Sequence, residues 1–157
     1  MDRKMSPFLK PIEQFEVGDY MTDISVGDRH GDIITLHSLI TDHLMLIILS
    51  DSCEPCFESL NAVAEFAETR EQANIVVLLS SDEETMLQVR QGLPESVKLF
   101  GVDYADIGRK WKTYRFPWGY CLNRKGQILT SKGVGAVDLL AEAYRPFLRQ
   151  IDPVPSP

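Results

Sequence analysis

The sequence is short of cysteine, of basic charge and of long apolar runs, and each shortage excludes a class of protein. Three cysteines in 157 residues are too few, and odd in number, for a disulfide-stapled scaffold. The most apolar stretch, Leu44-Met45-Leu46-Ile47-Ile48-Leu49, falls far below the ~20 residues that cross a bilayer. Lys and Arg number 16 against 23 Asp and Glu, a formal net charge of -7; that balance opposes a nucleic-acid or anionic-membrane surface. The first ten residues carry Asp2, Arg3 and Lys4 without an apolar h-region. As written the chain therefore reads as cytoplasmic, and as extracytoplasmic if an N-terminal signal or anchor was removed. The sequence also lacks an internal repeat, a low-complexity segment and a nucleotide-binding glycine motif.

What is present suits one domain, since a chain of this length buries ~68–70% of its unfolded surface. The expected domain runs over residues 12–150. The ends, 1–11 and 151–157, are polar and proline-bearing and are expected to be flexible. Between them strand and helix alternate. Asp23–Val26 and Ile33–Leu36 flank a polar stretch with Gly27 and Gly31 and read as a hairpin. His43–Ser50 and Asn74–Leu79 are continuous apolar runs, the pattern of strands buried on both faces. Glu54–Arg70 is helical, with Cys56, Leu60, Val63 and Ala67 on one face. Ser81, followed by three acids, is the expected N-cap of a helix reaching Gly92. A short strand over Val97–Val102 and a helix over Asp106–Tyr114 follow, the latter packing Trp111 and Tyr114. Strands at Trp118–Leu122 and Gln127–Ser131 are joined by an Asn123-Arg124-Lys125-Gly126 turn. A last helix is expected over Val137 to about Gln150. The order implies an α/β fold, a central mixed sheet flanked by helices, with an N-terminal β-hairpin extension.

The chemistry-bearing element is Ser52-Cys53-Glu54-Pro55-Cys56, set between a buried strand and a helix. Cys53 falls at the helix start, where unpaired N–H groups and the helix dipole favour a thiolate. Cys56, three residues on, lies within reach to close a disulfide. Pro55 restricts the turn and lacks an N–H that this end of a helix does not use. A half zinc site is the alternative; the chain has no second C-x-x-C and no His-x-x-His, and Cys121, His30, His37 and His43 are scattered. Glu54 is either a solvated turn residue or a carboxylate that disfavours a second negative charge beside the pair and so favours a reductant. Cys121, in a strand between Tyr120 and Leu122, is expected to be a buried, inert thiol. The histidines are expected at the surface or in caps, and Glu65, Glu68 and Glu71 on a solvated face.

Together these marks resemble the thioredoxin superfamily, and within it the ResA/TlpA-like thiol–disulfide oxidoreductases. They are Val17-Gly18-Asp19, the Gly31 turn, Thr35-Leu36-His37-Ser38-Leu39, the Cys53-Glu54-Pro55-Cys56 motif, and Phe116-Pro117 ahead of the Asn123–Gly126 turn. The resemblance spans about Gln14 to Leu148 and implies a thioredoxin-like fold. It also implies that Pro117 is cis and faces the cysteine pair, and that Phe116 offers its backbone to a bound substrate. Phe116 and Trp118 would form an apolar wall beside it. The glutamate of the motif is shared with the cytochrome-c-maturation thioredoxins. The chain is similar as well to thioredoxin-like proteins encoded with bacteriocin or killing-factor biosynthesis genes. It departs from the family at Ser52 (usually tryptophan), Ile47 (a buried aspartate in thioredoxin), Asn61 (a helix-kinking proline) and Ser59 (a carboxylate in the cytochrome-maturation branch).

The expected function is dithiol–disulfide exchange with a cysteine-bearing protein or peptide, Cys53 attacking and Cys56 resolving the mixed disulfide. No metal or organic cofactor is implied. A second thiol protein must supply or accept the electrons, and a monomer is expected. The competing expectation is a peptide-binding module that keeps the fold without turnover, as the four departures allow.

Overall fold

The run His43–Ser50 has no polar face to offer solvent, so it can only be stable with partners on both edges and cover on both faces. A computed structural model, which describes residues 14–27 and 31–151, places it so. Two short strands, β1 (Ser25–Gly27) and β2 (Ile33–Thr35), precede β3 (His43–Ser50), with a 3₁₀ turn over Leu36–Leu39 between them. Then come α1 (Glu54–Glu68), β4 (Ile75–Ser80), α2 (Glu83–Gly92), β5 (Val97–Gly101) and α3 (Tyr104–Arg109). The chain closes with β6 (Trp118–Asn123), β7 (Ile128–Gly133), α4 (Val137–Ala143) and α5 (Leu148–Ile151). Five strands form one sheet in the order β5-β4-β3-β6-β7, with β3, β4 and β5 parallel and β6 and β7 antiparallel. β1 and β2 pair as the separate antiparallel hairpin. The expected loose ends fall outside the described residues, save Ile151, the last residue of α5, and so does His30.

All eight residues of β3 are buried. Met45, Ile47 and Leu49 enter one core with Leu60, Val63 and Phe66 of α1 and Leu140 of α4. Leu44, Leu46 and Ile48 enter the other, with Val26, Leu36, Leu39, Ile107 and Trp111. The alternation is the strand period of two, and each fully buried Leu, Ile or Phe is worth about 1.5–3 kcal/mol. Met86, Val89 and Leu93 of α2 pack on the α1 side. That layering puts α1, α2 and α4 on one face and α3 with the hairpin on the other. No helix among the described residues is long and apolar enough to cross a membrane.

Four local expectations are corrected. The N-cap of α2 is Asp82, whose carboxylate accepts the Thr85 N–H at 2.7 Å, and not Ser81, whose hydroxyl donates to the Asp82 carbonyl. The helix expected over 106–114 starts earlier and ends at Arg109; Lys112 adopts a left-handed φ of 49°, which reverses the chain. Trp111 is therefore buried and Tyr114 turned out to solvent, its hydroxyl donating to the Gly108 carbonyl. The last helix is broken at Tyr144–Phe147 because Pro146 has no N–H and its ring collides with the preceding turn. His43 is neither surface nor cap but buried, its ring 5.0 Å from Phe147. The Asn74 N–H donates to its Nε2 at 3.0 Å, so the ring proton sits on Nδ1, 2.7 Å from Asp42.

Candidate functional site

The two cysteines lie where β3 ends and α1 begins, and the intervening loop is held by its own short polar residues. Ser50, buried at the strand terminus, accepts the Ser52 N–H on its hydroxyl at 3.2 Å and lies 2.8 Å from the Ser52 hydroxyl. The Asp51 N–H donates to the Ser80 carbonyl of β4, and the Cys53 N–H to the Ser50 carbonyl at 3.1 Å. Cys53 is thereby fixed as the N-cap residue of α1 in an extended conformation, with Pro55 in the first turn. The Cys56 N–H donates to the Cys53 carbonyl at 3.1 Å.

This geometry makes the two thiols unequal. Cys53 is partly exposed, whereas Cys56 is buried. Burial, and then the hydrogen bond that the Cys56 thiol makes to Cys53, push Cys56 up to about 12, against a smaller opposing effect of the Ser50 backbone. A partly exposed sulfur is paired with a buried one that keeps its proton. Glu54 and Pro55 are exposed beside the pair.

Antiparallel pairing brings the second half of the site to the same end of the sheet. Ile48 of β3 stands opposite Trp118 of β6, so the same register sets Pro117 at the level of Leu49, at the end of β3 from which the Cys53 loop leaves. The Phe116–Pro117 peptide is cis and Pro117 is buried. Within the described residues no hydrogen bond engages the Phe116 backbone, which leaves its N–H and C=O for a partner strand. Phe116 packs at the margin of the core that Cys53 joins.

Trp118 does not. It turns to the opposite face, where its indole N–H donates to the Ser131 hydroxyl at 2.9 Å. Phe116 packs against the core of this face as well, and its ring centroid lies 6.0 Å from that of Tyr104. Tyr104 is 59% exposed and had no signal in the sequence, because α3 was expected to begin two residues later. Cys121 is wholly buried between Met45 and Thr130, and burial pushes it up to about 12. Among the described residues no group of three His, Cys, Asp or Glu is arranged to hold a metal ion.

Ser59, one turn beyond Cys56, is buried with its hydroxyl donating to the Val134 carbonyl at 2.7 Å. In the sequence it registers only as a missing carboxylate. The neighbouring Glu58 is exposed.

No protein-family model and no curated protein sequence matches the chain. Solved structures do match in shape. The chain is similar to a proposed protein disulfide isomerase from Bacteroides thetaiotaomicron, with a TM-score of 0.70, 16% identity, and 87% of this chain and 90% of that one covered. It is similar to the thioredoxin domain of a thiol-disulfide oxidoreductase from Bacteroides vulgatus, with a TM-score of 0.68, 14% identity and coverages of 85% and 99%. A third is the exposed lipoprotein thioredoxin of Streptococcus pneumoniae, with a TM-score of 0.60, 14% identity and coverages of 80% and 99%. At such identities the likeness shows the thioredoxin-like fold.

Proposed function

We propose that the chain is a thiol–disulfide oxidoreductase acting on cysteine-bearing proteins or peptides through Cys53 and Cys56. The observation that carries this reading is the asymmetric pair: a partly exposed Cys53 at the N-cap of α1 and a buried Cys56 three residues on. Acting as a reductant, the Cys53 thiolate attacks a client disulfide. A bond forms to one client sulfur as the S–S bond breaks, and the other client sulfur leaves as a thiolate that takes a proton. Cys56 then gives up its proton and attacks the Cys53 sulfur. The client's second thiol is released, and two electrons have moved from the pair to the client. A separate thiol protein restores the dithiol. In the opposite direction the same steps install a disulfide. Phe116 and Pro117 dock the client backbone, and an apocytochrome or a bacteriocin-type peptide are the narrower clients that the sequence resemblance suggests.

The test is insulin reduction in the presence of dithiothreitol, with mass spectrometry of thiol-labelled protein across glutathione poises. Turnover by the native chain, its loss in Cys53→Ser, and an accumulated mixed disulfide in Cys56→Ser are the expected results. A pair that forms no disulfide at any poise would refute the reading. Equal binding of a client peptide by oxidised, reduced and Cys53→Ser forms would then identify a peptide-binding module instead.

A further inference from the structure

Two hydrogen bonds connect the helix that carries the cysteines with the loop that carries the cis proline. The Ser59 hydroxyl, wholly buried on α1, donates to the carbonyl of Val134, 75 residues away. The N–H of Val134 donates to the Pro117 carbonyl at 3.3 Å. Ser59 thus holds the peptide group after Val134, while the peptide group before it holds Pro117. Val134 has little room to drift. It is fully buried, and its side chain fills the space left by Gly119, where an added Cβ would meet Val134 Cγ1 at 2.8 Å. On the strand side Gly133 pairs with Trp118, the residue after Pro117. The residue following Val134, Gly135, lies against the proline ring, where an added Cβ would sit 3.7 Å from Pro117 Cγ.

We propose that Ser59 is a positioning residue for client docking: through Val134 it holds the Phe116–Pro117 edge in register with the Cys53 sulfur. This rests on the oxidoreductase reading and deepens it. The hydroxyl touches neither cysteine sulfur nor client. Its role is to fix the distance between the element that reacts and the element that aligns the client backbone, a geometry in which small displacements are costly in rate. Ser59→Ala leaves the Val134 carbonyl without its donor and frees that loop to move relative to α1.

The experiment separates chemistry at Cys53 from docking. The rate of Cys53 alkylation by iodoacetamide and the glutathione-referenced potential of the pair are measured beside KM and kcat for a peptide disulfide. In Ser59→Ala, the alkylation rate and the glutathione exchange constant of the pair are expected to stay within about twofold, while KM rises about tenfold, the effect of misaligning one docking hydrogen bond. Ser59→Thr, which keeps the hydroxyl, is expected to recover most of the loss. Gly119→Ala, which pushes Val134 from the other side with Ser59 intact, is expected to reproduce the KM effect, and it serves as the test should Ser59→Ala fail to fold. An unchanged KM in both Ser59→Ala and Gly119→Ala overturns the proposal, as does a parallel change in alkylation and potential. A native chain that closes the Cys53–Cys56 disulfide yet never turns over a peptide disulfide overturns the oxidoreductase reading itself.

Discussion

At the scale of residues, the controlling difference is between two sulfurs three positions apart. Helical spacing puts Cys56 on the apolar face with Leu60 and Val63, and the β3–α1 loop leaves Cys53 partly exposed at the N-cap. Burial is the first cause of the high Cys56 value, and burial persists in the mixed disulfide, when Cys53 is bonded to the client. Only the small ionised fraction of Cys56 attacks, and that fraction grows with pH. Client release from the Cys53 mixed disulfide is therefore expected to accelerate about tenfold per pH unit between about pH 6 and 9. Quenched-flow mass spectrometry of the mixed disulfide checks this, and a pH-independent release rate would contradict it. Cys121 gives a stability counterpart. Its folded value is raised to about 12 from 9.0 by burial. Below pH 9 both states hold the proton and nothing is lost. As pH rises from 9 toward 12 the unfolded chain releases a proton that the folded chain keeps, so stability falls. The decline in urea midpoint over that range is expected to be shallower in Cys121→Ala than in the native chain.

At the scale of elements, the strands were far more legible than the helix ends. β3 and β4 are continuous apolar runs, and nothing but a two-sided core accommodates such a run. Helix termini depend on which of several polar side chains reaches a free N–H, and both Ser81 and Asp82 are competent cap residues. The Asp82 carboxylate reaches the Thr85 N–H. Asp82→Ala is accordingly expected to lower the urea midpoint, with Ser81→Ala near neutral; the reverse order would contradict the assignment. The shortened α3 was hidden for a different reason. Lys112 takes a left-handed φ, which no residue type at that position announces. Gly126 is the legible contrast. Its φ of 83° in the β6–β7 turn needs glycine, and the Asn-Arg-Lys-Gly sequence announced a turn.

At the scale of the molecule, the net charge of -7 is not spread evenly about the site. The parallel strands β3, β4 and β5 all end on the Cys53 side, and each is followed by exposed acids: Asp51 and Glu54, then Asp82, Glu83 and Glu84, then Asp103. Composition alone cannot place those charges; parallel topology gathers them. Cys53 is expected to react several-fold faster with cystamine, a cationic disulfide, than with the anionic dithiodipropionate at equal concentration. The ratio should shrink as salt rises from about 10 mM to about 1 M, because the screening length falls from ~30 Å to ~3 Å. A ratio indifferent to salt would exclude steering by this field.

Hydrophobic periodicity, glycine at turns and the Cys53–Cys56 spacing were enough to determine the α/β class, the central strands, the helix that begins at the cysteines and the pair proposed to react. These are local signals: each is written within a few residues and demands one kind of environment. Tertiary structure alone decided that Trp118 packs against the core on the α3 side. It also put Tyr104 beside Phe116, and joined Ser59 to Pro117 through Val134, 75 residues along the chain from Ser59. Those pairings depend on strand register and on how helices seat against the sheet. Such contacts are set by the packing of the whole core, and no short stretch of sequence encodes them.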